Sequence, residues 1–66
     1  MELSVNGAKE IFEQAAVVSD VLDARGHNEK VVVVELNGVI VPRGDFAHTA
    51  LKEGDELEIV HIVGGG

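Results

Sequence analysis

The residues of this chain best suited to chemistry are its last three, Gly64, Gly65 and Gly66. A run without side chains can enter a narrow channel that any Cβ would obstruct. At its end stands an α-carboxylate, whose ordinary pKa of about 3.5 leaves it ionised at neutral pH. A carboxylate is a poor electrophile and accepts a nucleophile only after activation, for instance by adenylation. The glycines by themselves are equally consistent with a frayed end or a cloning remnant.

Other routes to catalysis are hard to build from these residues. The chain contains no cysteine, so it has neither a thiol nucleophile nor a disulfide. Ser4 and Ser19 fall in a predicted strand and at a predicted helix start. The three histidines, His27, His48 and His61, are isolated in sequence and lack metal-ligand spacing. His27 beside Gly26 reads as a helix-end residue and His48 as a loop residue. His61, in the last strand and close to the tail, reads as a packing residue, with partner contact as the alternative. Glu53, Asp55, Glu56 and Glu58 do not follow the pattern of a calcium loop and read as a solvated acidic face. No glycine-rich phosphate loop of either common pattern occurs. The expectation is a chain with no catalytic residue and no metal site of its own.

Sixty-six residues make one domain with one small core. A domain of this size buries only about 60% of the surface exposed by its unfolded chain, so stability rests on packing. The apolar fraction of 45%, rich in valine, supplies the material. Twelve acidic against five basic residues give a net charge of −7. That balance argues against nucleic acid, whose phosphates are held by clustered Lys and Arg. It suits solubility and electrostatic steering toward a basic protein surface. No basic, apolar leader opens the sequence, and no run approaches the roughly 18 apolar residues of a membrane span. A soluble, cytoplasmic protein is expected, with no membrane partner.

The elements that must position the tail can be read in order. Met1–Val5 alternates apolar and polar residues, the period of a half-buried strand. Asn6-Gly7 is a hairpin turn, and a second strand is expected around Lys9–Phe12. Ser19 and Asp20 mark a helix start, Val18, Val21 and Leu22 its apolar stripe, and Gly26 its stop. Lys30–Leu36 is the clearest strand, with four consecutive valines suited to a pleated surface. Its phase puts Val32, Val34 and Leu36 on the core face and Val31, Val33 and Glu35 on the other. Asn37-Gly38 turns into a short strand, Val39–Val41, which Pro42 ends. Residues 43–53 read as irregular, anchored by Phe46 and Leu51. The last strand runs from Glu56 to Val63, with Leu57 and Ile59 inward and Glu58, Val60 and Ile62 outward. The three glycines beyond it are expected to be disordered in the free protein.

One helix on one face of a sheet makes an α+β domain over residues 1–63, followed by a glycine tail over 64–66. The other sheet face is left open. Val31, Val33, Val60 and Ile62 would form an apolar patch on it with an acidic rim, read here as a partner-binding surface.

In this order the features resemble the ThiS family, the sulfur carrier proteins of thiamine biosynthesis. The resemblance covers the whole chain and rests on Asn6-Gly7, the valine strand into Glu35-Leu36-Asn37-Gly38, Val41-Pro42-Arg43, Phe46, Leu51, Glu53-Gly54-Asp55, Glu58-Ile59-Val60-His61 and the closing glycines. It implies a ubiquitin-like β-grasp fold, with a five-stranded mixed sheet and one main helix. It also implies a cycle in which a ubiquitin-activating-type adenylyltransferase, ThiF, uses ATP to adenylate the carboxylate of Gly66. Sulfur from a cysteine desulfurase or sulfurtransferase then yields a C-terminal thiocarboxylate, which donates sulfur to thiazole synthase, ThiG. Gly65 and Gly66 match the family's terminal pair, and Gly64 is a spacer. A carrier of this kind binds no cofactor, is not itself an enzyme and is expected to be monomeric when free.

Two other β-grasp roles share the tail. The small subunit of molybdopterin synthase uses the same chemistry on a longer chain, and a protein modifier would join Gly66 to a lysine. An RNA-binding β-grasp domain fits poorly with the acidic charge.

Overall fold

The computed structural model describes residues 1–62 of the chain. Its elements are β1 (Glu2–Val5), β2 (Ala8–Ile11), α1 (Val18–Ala24), β3 (Val32–Leu36), β4 (Val39–Val41) and β5 (Glu56–His61), with 3-10 turns at Glu29–Val31 and Arg43–Asp45. The five strands form one sheet in the order β2-β1-β5-β3-β4. β1 runs parallel to β5, and the other pairings are antiparallel. The sheet is therefore mixed, as the family resemblance implies, and β5 occupies its centre.

Both hairpins form at the two Asn-Gly pairs. Asn6 and Asn37 take φ values of 52° and 51°, followed by Gly7 and Gly38, both at 85°. Positive φ at both central residues matches the right-handed twist of the flanking strands, and Asn-Gly tolerates it best. The closing pairs are Val5 with Ala8 and Leu36 with Val39.

The helix buries Val18, Val21 and Leu22 completely against the inner sheet face. Around them lie Leu3, Val5, Phe12, Val32, Val34, Val41, Phe46, Leu51, Leu57 and Ile59. Leu36 is only partly buried, at the margin of this core. Residues 43–53 are irregular apart from the 3-10 turn, with Phe46 and Leu51 buried as expected.

Three local readings change. Ser19 is not the helix cap: the cap position is Val17, and Asp20 in the first turn reaches back to accept from the N–H groups of Ala16 (2.8 Å) and Val17 (3.0 Å). These two bonds hold the Asp20 carboxyl below its usual pKa. The start falls here because neighbouring segments already grip the backbone, with Leu51 N–H donating to Ala16 O and Val18 N–H to Thr49 O. Ser19 N–H is satisfied by Phe46 O. Lys30 and Val31 belong to the 3-10 turn rather than to β3, because Asn28 caps it by accepting from Lys30 N–H. Phe12 closes the first hairpin from outside β2, donating its N–H to Met1 O. The expected boundary between domain and tail at Val63 and Gly64 lies outside the described residues.

Candidate functional site

β5 is the strand that leads to the glycines, and the fold grips it from both sides. At one end, Asn6 Oδ1 accepts from Ile59 N–H (2.7 Å) while its Nδ2 donates to Ile59 O (3.2 Å). At the other, Asn37 Oδ1 accepts from Glu56 N–H (2.9 Å) and its Nδ2 donates to Asp55 Oδ1 (3.1 Å). The same two asparagines that make the hairpin turns thus clasp the central strand with their amides. Side-chain amides carry both a donor and an acceptor, which is what pairing with a backbone edge requires.

Asp55 anchors the second clasp. It is buried, at 4% exposure, and also accepts from Lys52 N–H at 2.8 Å. Burial alone would raise its pKa, but the bonds from Asn37 and Lys52 and the Lys52 charge together hold the carboxyl below its ordinary value of 3.8. A depressed folded-state pKa stabilises the fold above the unfolded-state value, and the contribution is lost as the pH falls through the folded-state value. In Asp55→Asn an NH2 group faces one of these donors, with an expected cost of about 2 kcal/mol at neutral pH. In chemical denaturation the gap between variant and wild type should close in acid, below about pH 3.8.

The open face of the sheet carries the patch read from the sequence. Val33 is paired with Val60 across β3 and β5. Val31, Val33, Val60 and Ile62 are exposed by 39%, 37%, 58% and 53%. The backbone pairing extends past β5, since Ile62 N–H donates to Val31 O at 2.8 Å. Ile40 of β4, 63% exposed and paired with Glu35, joins the same face. Its membership was available from the pairing of a hairpin closed at Leu36 and Val39, but the phase of so short a strand is silent on its own. Beside the patch Glu35 stands directly opposite Glu58, and opposed like charges are unfavourable in a strand pair.

On the inner face the structure joins two histidines that were read as isolated. The helix ends in a Schellman motif, with His27 N–H donating to Leu22 O and Gly26 N–H to Asp23 O. This carries His27 to the end of β5, where His61 is paired with Val32 on the helix side. His27 Nδ1 lies 3.2 Å from His61 Nε2, with ring centroids 4.8 Å apart. Arg25 Nε donates to His27 Nε2 at 3.3 Å, and the same guanidinium is paired with Glu10. Burial, helped by the charges of His61 and Arg25, pushes the His27 pKa down. His48 stays apart, exposed in its loop. Glu53, Asp55, Glu56 and Glu58 do not form a metal cluster; among the described residues no group of three or more His, Cys, Asp or Glu side chains is placed to hold an ion. Gly64, Gly65 and Gly66 lie outside the described residues.

A five-stranded mixed sheet with one packed helix on one face and an open apolar face on the other defines a β-grasp domain. The family model of the ThiS family matches residues 1–66, and the chain belongs to that family. It is 39% identical over its whole length to a thiazole synthase of Paramagnetospirillum magneticum, of which it covers 20%. The chain thus spans about one fifth of the length of that relative, and the same holds for a thiazole synthase of Magnetococcus marinus at 33% identity. It is 32% identical to the sulfur carrier protein ThiS of Bacillus subtilis, covering 97% of this chain and 98% of that protein. Among solved structures, a thiamine biosynthesis protein (ThiS) of Geobacter metallireducens superposes with a TM-score of 0.84 at 36% identity, covering all of both chains.

Proposed function

We propose that this protein is a sulfur carrier in the synthesis of the thiazole moiety of thiamine, with the carboxylate of Gly66 as the group that carries sulfur. The observation that carries this reading is the match, over nearly the full length of both chains, to the Bacillus subtilis sulfur carrier protein. In the cycle a ThiF-type adenylyltransferase transfers AMP from ATP to the carboxylate, making the acyl carbon attackable. The terminal sulfur of a cysteine persulfide on a desulfurase or sulfurtransferase attacks the acyl carbon and expels AMP. A thiol then cleaves the acyl disulfide, and the thiocarboxylate so released donates its sulfur to thiazole synthase. The thiazole synthases that contain a region like this chain support that last partner. The carrier presents the group, and its partners supply acid–base and electrostatic catalysis.

The open face is the docking surface in this reading. Val33, Val60, Ile62 and Ile40 offer the apolar centre, with Val31 at its margin. The opposed Glu35 and Glu58 favour a partner that brings cations to that edge, in keeping with the charge of −7.

The test is intact-mass spectrometry after incubation with the adenylyltransferase, ATP and a sulfur donor. The expected product has one oxygen replaced by sulfur at Gly66. An unmodified mass with an enzyme that is active on another carrier would overturn the reading, and a mass consistent with a lysine conjugate would favour the modifier role.

A further inference from the structure

Val41-Pro42-Arg43 ends β4 beside the open face, and the proposed sulfur chemistry makes no use of it. β4 pairs only with Val34, Glu35 and Leu36, and the chain leaves the sheet at Pro42 for the 3-10 turn. The start of β3 is left without a strand on that side, and a groove of about 320 Å3 opens there. Val33, Ile40, Ile62 and Pro42 line it together with Lys30 and Arg43, both exposed. Among the described residues no acidic side chain lines this groove, in a chain with twelve acidic against five basic residues. Two of the other cations are engaged elsewhere, Arg25 with Glu10 and Lys52 with Asp55. We infer that the groove receives a segment of the activating adenylyltransferase that carries an aliphatic side chain beside an Asp or Glu, with Lys30 and Arg43 holding the carboxylate. The inference rests on the open face being the docking surface, and it gives that face a polarity.

The cations are positioned by the fold. Arg43 Nη1 donates to Lys30 O at 3.3 Å, which lays the side chain across to the 3-10 turn before β3. That bond uses one N–H and leaves the rest of the planar guanidinium to a partner carboxylate. Lys30 is fixed through its main chain, since its N–H also donates to Asn28 Oδ1 at 2.9 Å. Guanidinium is more weakly hydrated than ammonium, so Arg43 is the stronger anchor of the two. A polyanion such as nucleic acid does not suit the groove, because two cations stand against a net charge of −7.

Glu35 and Glu58 oppose each other toward the other end of the face, with Val33 and Val60 between them and the groove. A partner that brings cations to one end and an acid to the other docks in one orientation, because the reversed complex sets like charges together. A single orientation delivers the end of β5 to one place in every complex, as presentation of a terminal group to an active site requires.

The experiment measures binding isotherms of the whole chain with the adenylyltransferase for Arg43→Gln, Lys30→Gln and, as control, Lys9→Gln on the opposite sheet edge. Arg43→Gln should weaken binding about tenfold, as loss of a charged hydrogen bond does. Lys30→Gln should weaken it by up to about fivefold. All three substitutions make the chain more acidic, so long-range attraction to a basic partner predicts unchanged or tighter binding for each. Weaker binding for Arg43→Gln and Lys30→Gln, but not for Lys9→Gln, is therefore specific to the groove. Thermal unfolding checks that Arg43→Gln remains folded, and Lys30→Gln keeps the carbonyl that Arg43 holds. Affinities equal to that of Lys9→Gln, with Val60→Asp still weakened, would overturn the anchor and leave the docking face standing. No loss in Val60→Asp either would overturn the docking face as well. A wild-type dimer in sedimentation that Arg43→Gln converts to monomer would assign the groove to a second copy and overturn the inference.

Discussion

Removal of Gly65 and Gly66 is expected to abolish thiocarboxylate formation while leaving the fold intact. Two residues of extended chain span about 7 Å, so the new terminal carboxylate at Gly64 stops short of the activating site by that distance. Group transfer needs the reacting atoms within about 3–3.5 Å of one another, and a misplacement of even 1 Å can cost about 100-fold. The product should therefore fall below detection in the intact-mass assay. The fold should not notice, because the buried core among the described residues runs from Leu3 to Ile59. An unchanged unfolding midpoint with no sulfur gain is the expected pair of results. A sulfur-bearing product on the shortened chain would show that Gly66 is not the required acceptor, and a collapsed midpoint would show that the tail takes part in packing.

The second large effect is expected at the open face. Val60 is 58% exposed and sits opposite Val33 at the centre of the apolar patch. In Val60→Asp a carboxylate replaces an apolar contact and adds to the negative charge of Glu35 and Glu58 nearby. A central contact of this kind costs about 2 kcal/mol or more when removed, equivalent to about 30-fold in affinity for the adenylyltransferase. Stability should fall far less: exposed substitutions stay within about 0.5 kcal/mol, with up to about 1 kcal/mol for the poorer strand propensity of Asp. Val60→Thr keeps the β-branched shape and should retain most of both. Binding isotherms and unfolding curves on the same preparations separate the two quantities. Unchanged affinity with a large loss of stability would assign Val60 to the fold rather than to the interface.

Much of this architecture was legible before any coordinates. Period-2 alternation placed Leu57 and Ile59 inside and Val60 outside, and the two Asn-Gly pairs placed both hairpins. These signals are local: they depend on the side-chain period and on which residues tolerate positive φ. The helix start was misread at Ser19 because the deciding forces are not local. Bonds from Thr49 and Leu51 fix residues 16–18, and Asp20 completes the cap from inside the helix.

The asparagines show the same division. Their turn-forming role follows from residue type, whereas their second role, clasping β5, depends on a partner strand up to 53 residues away.

The sequence by itself determined the α+β class and the inner and outer faces of the long strands, and it singled out the glycine terminus as the candidate place for chemistry. Only the tertiary structure decided that β5 lies at the centre of the sheet, that Ile40 completes the open face, and that His27 and His61 meet although they stand 34 positions apart in sequence. The reason is physical: periodicity fixes the direction of a side chain relative to its own backbone, but the distance between two elements is set by the packing of everything between them.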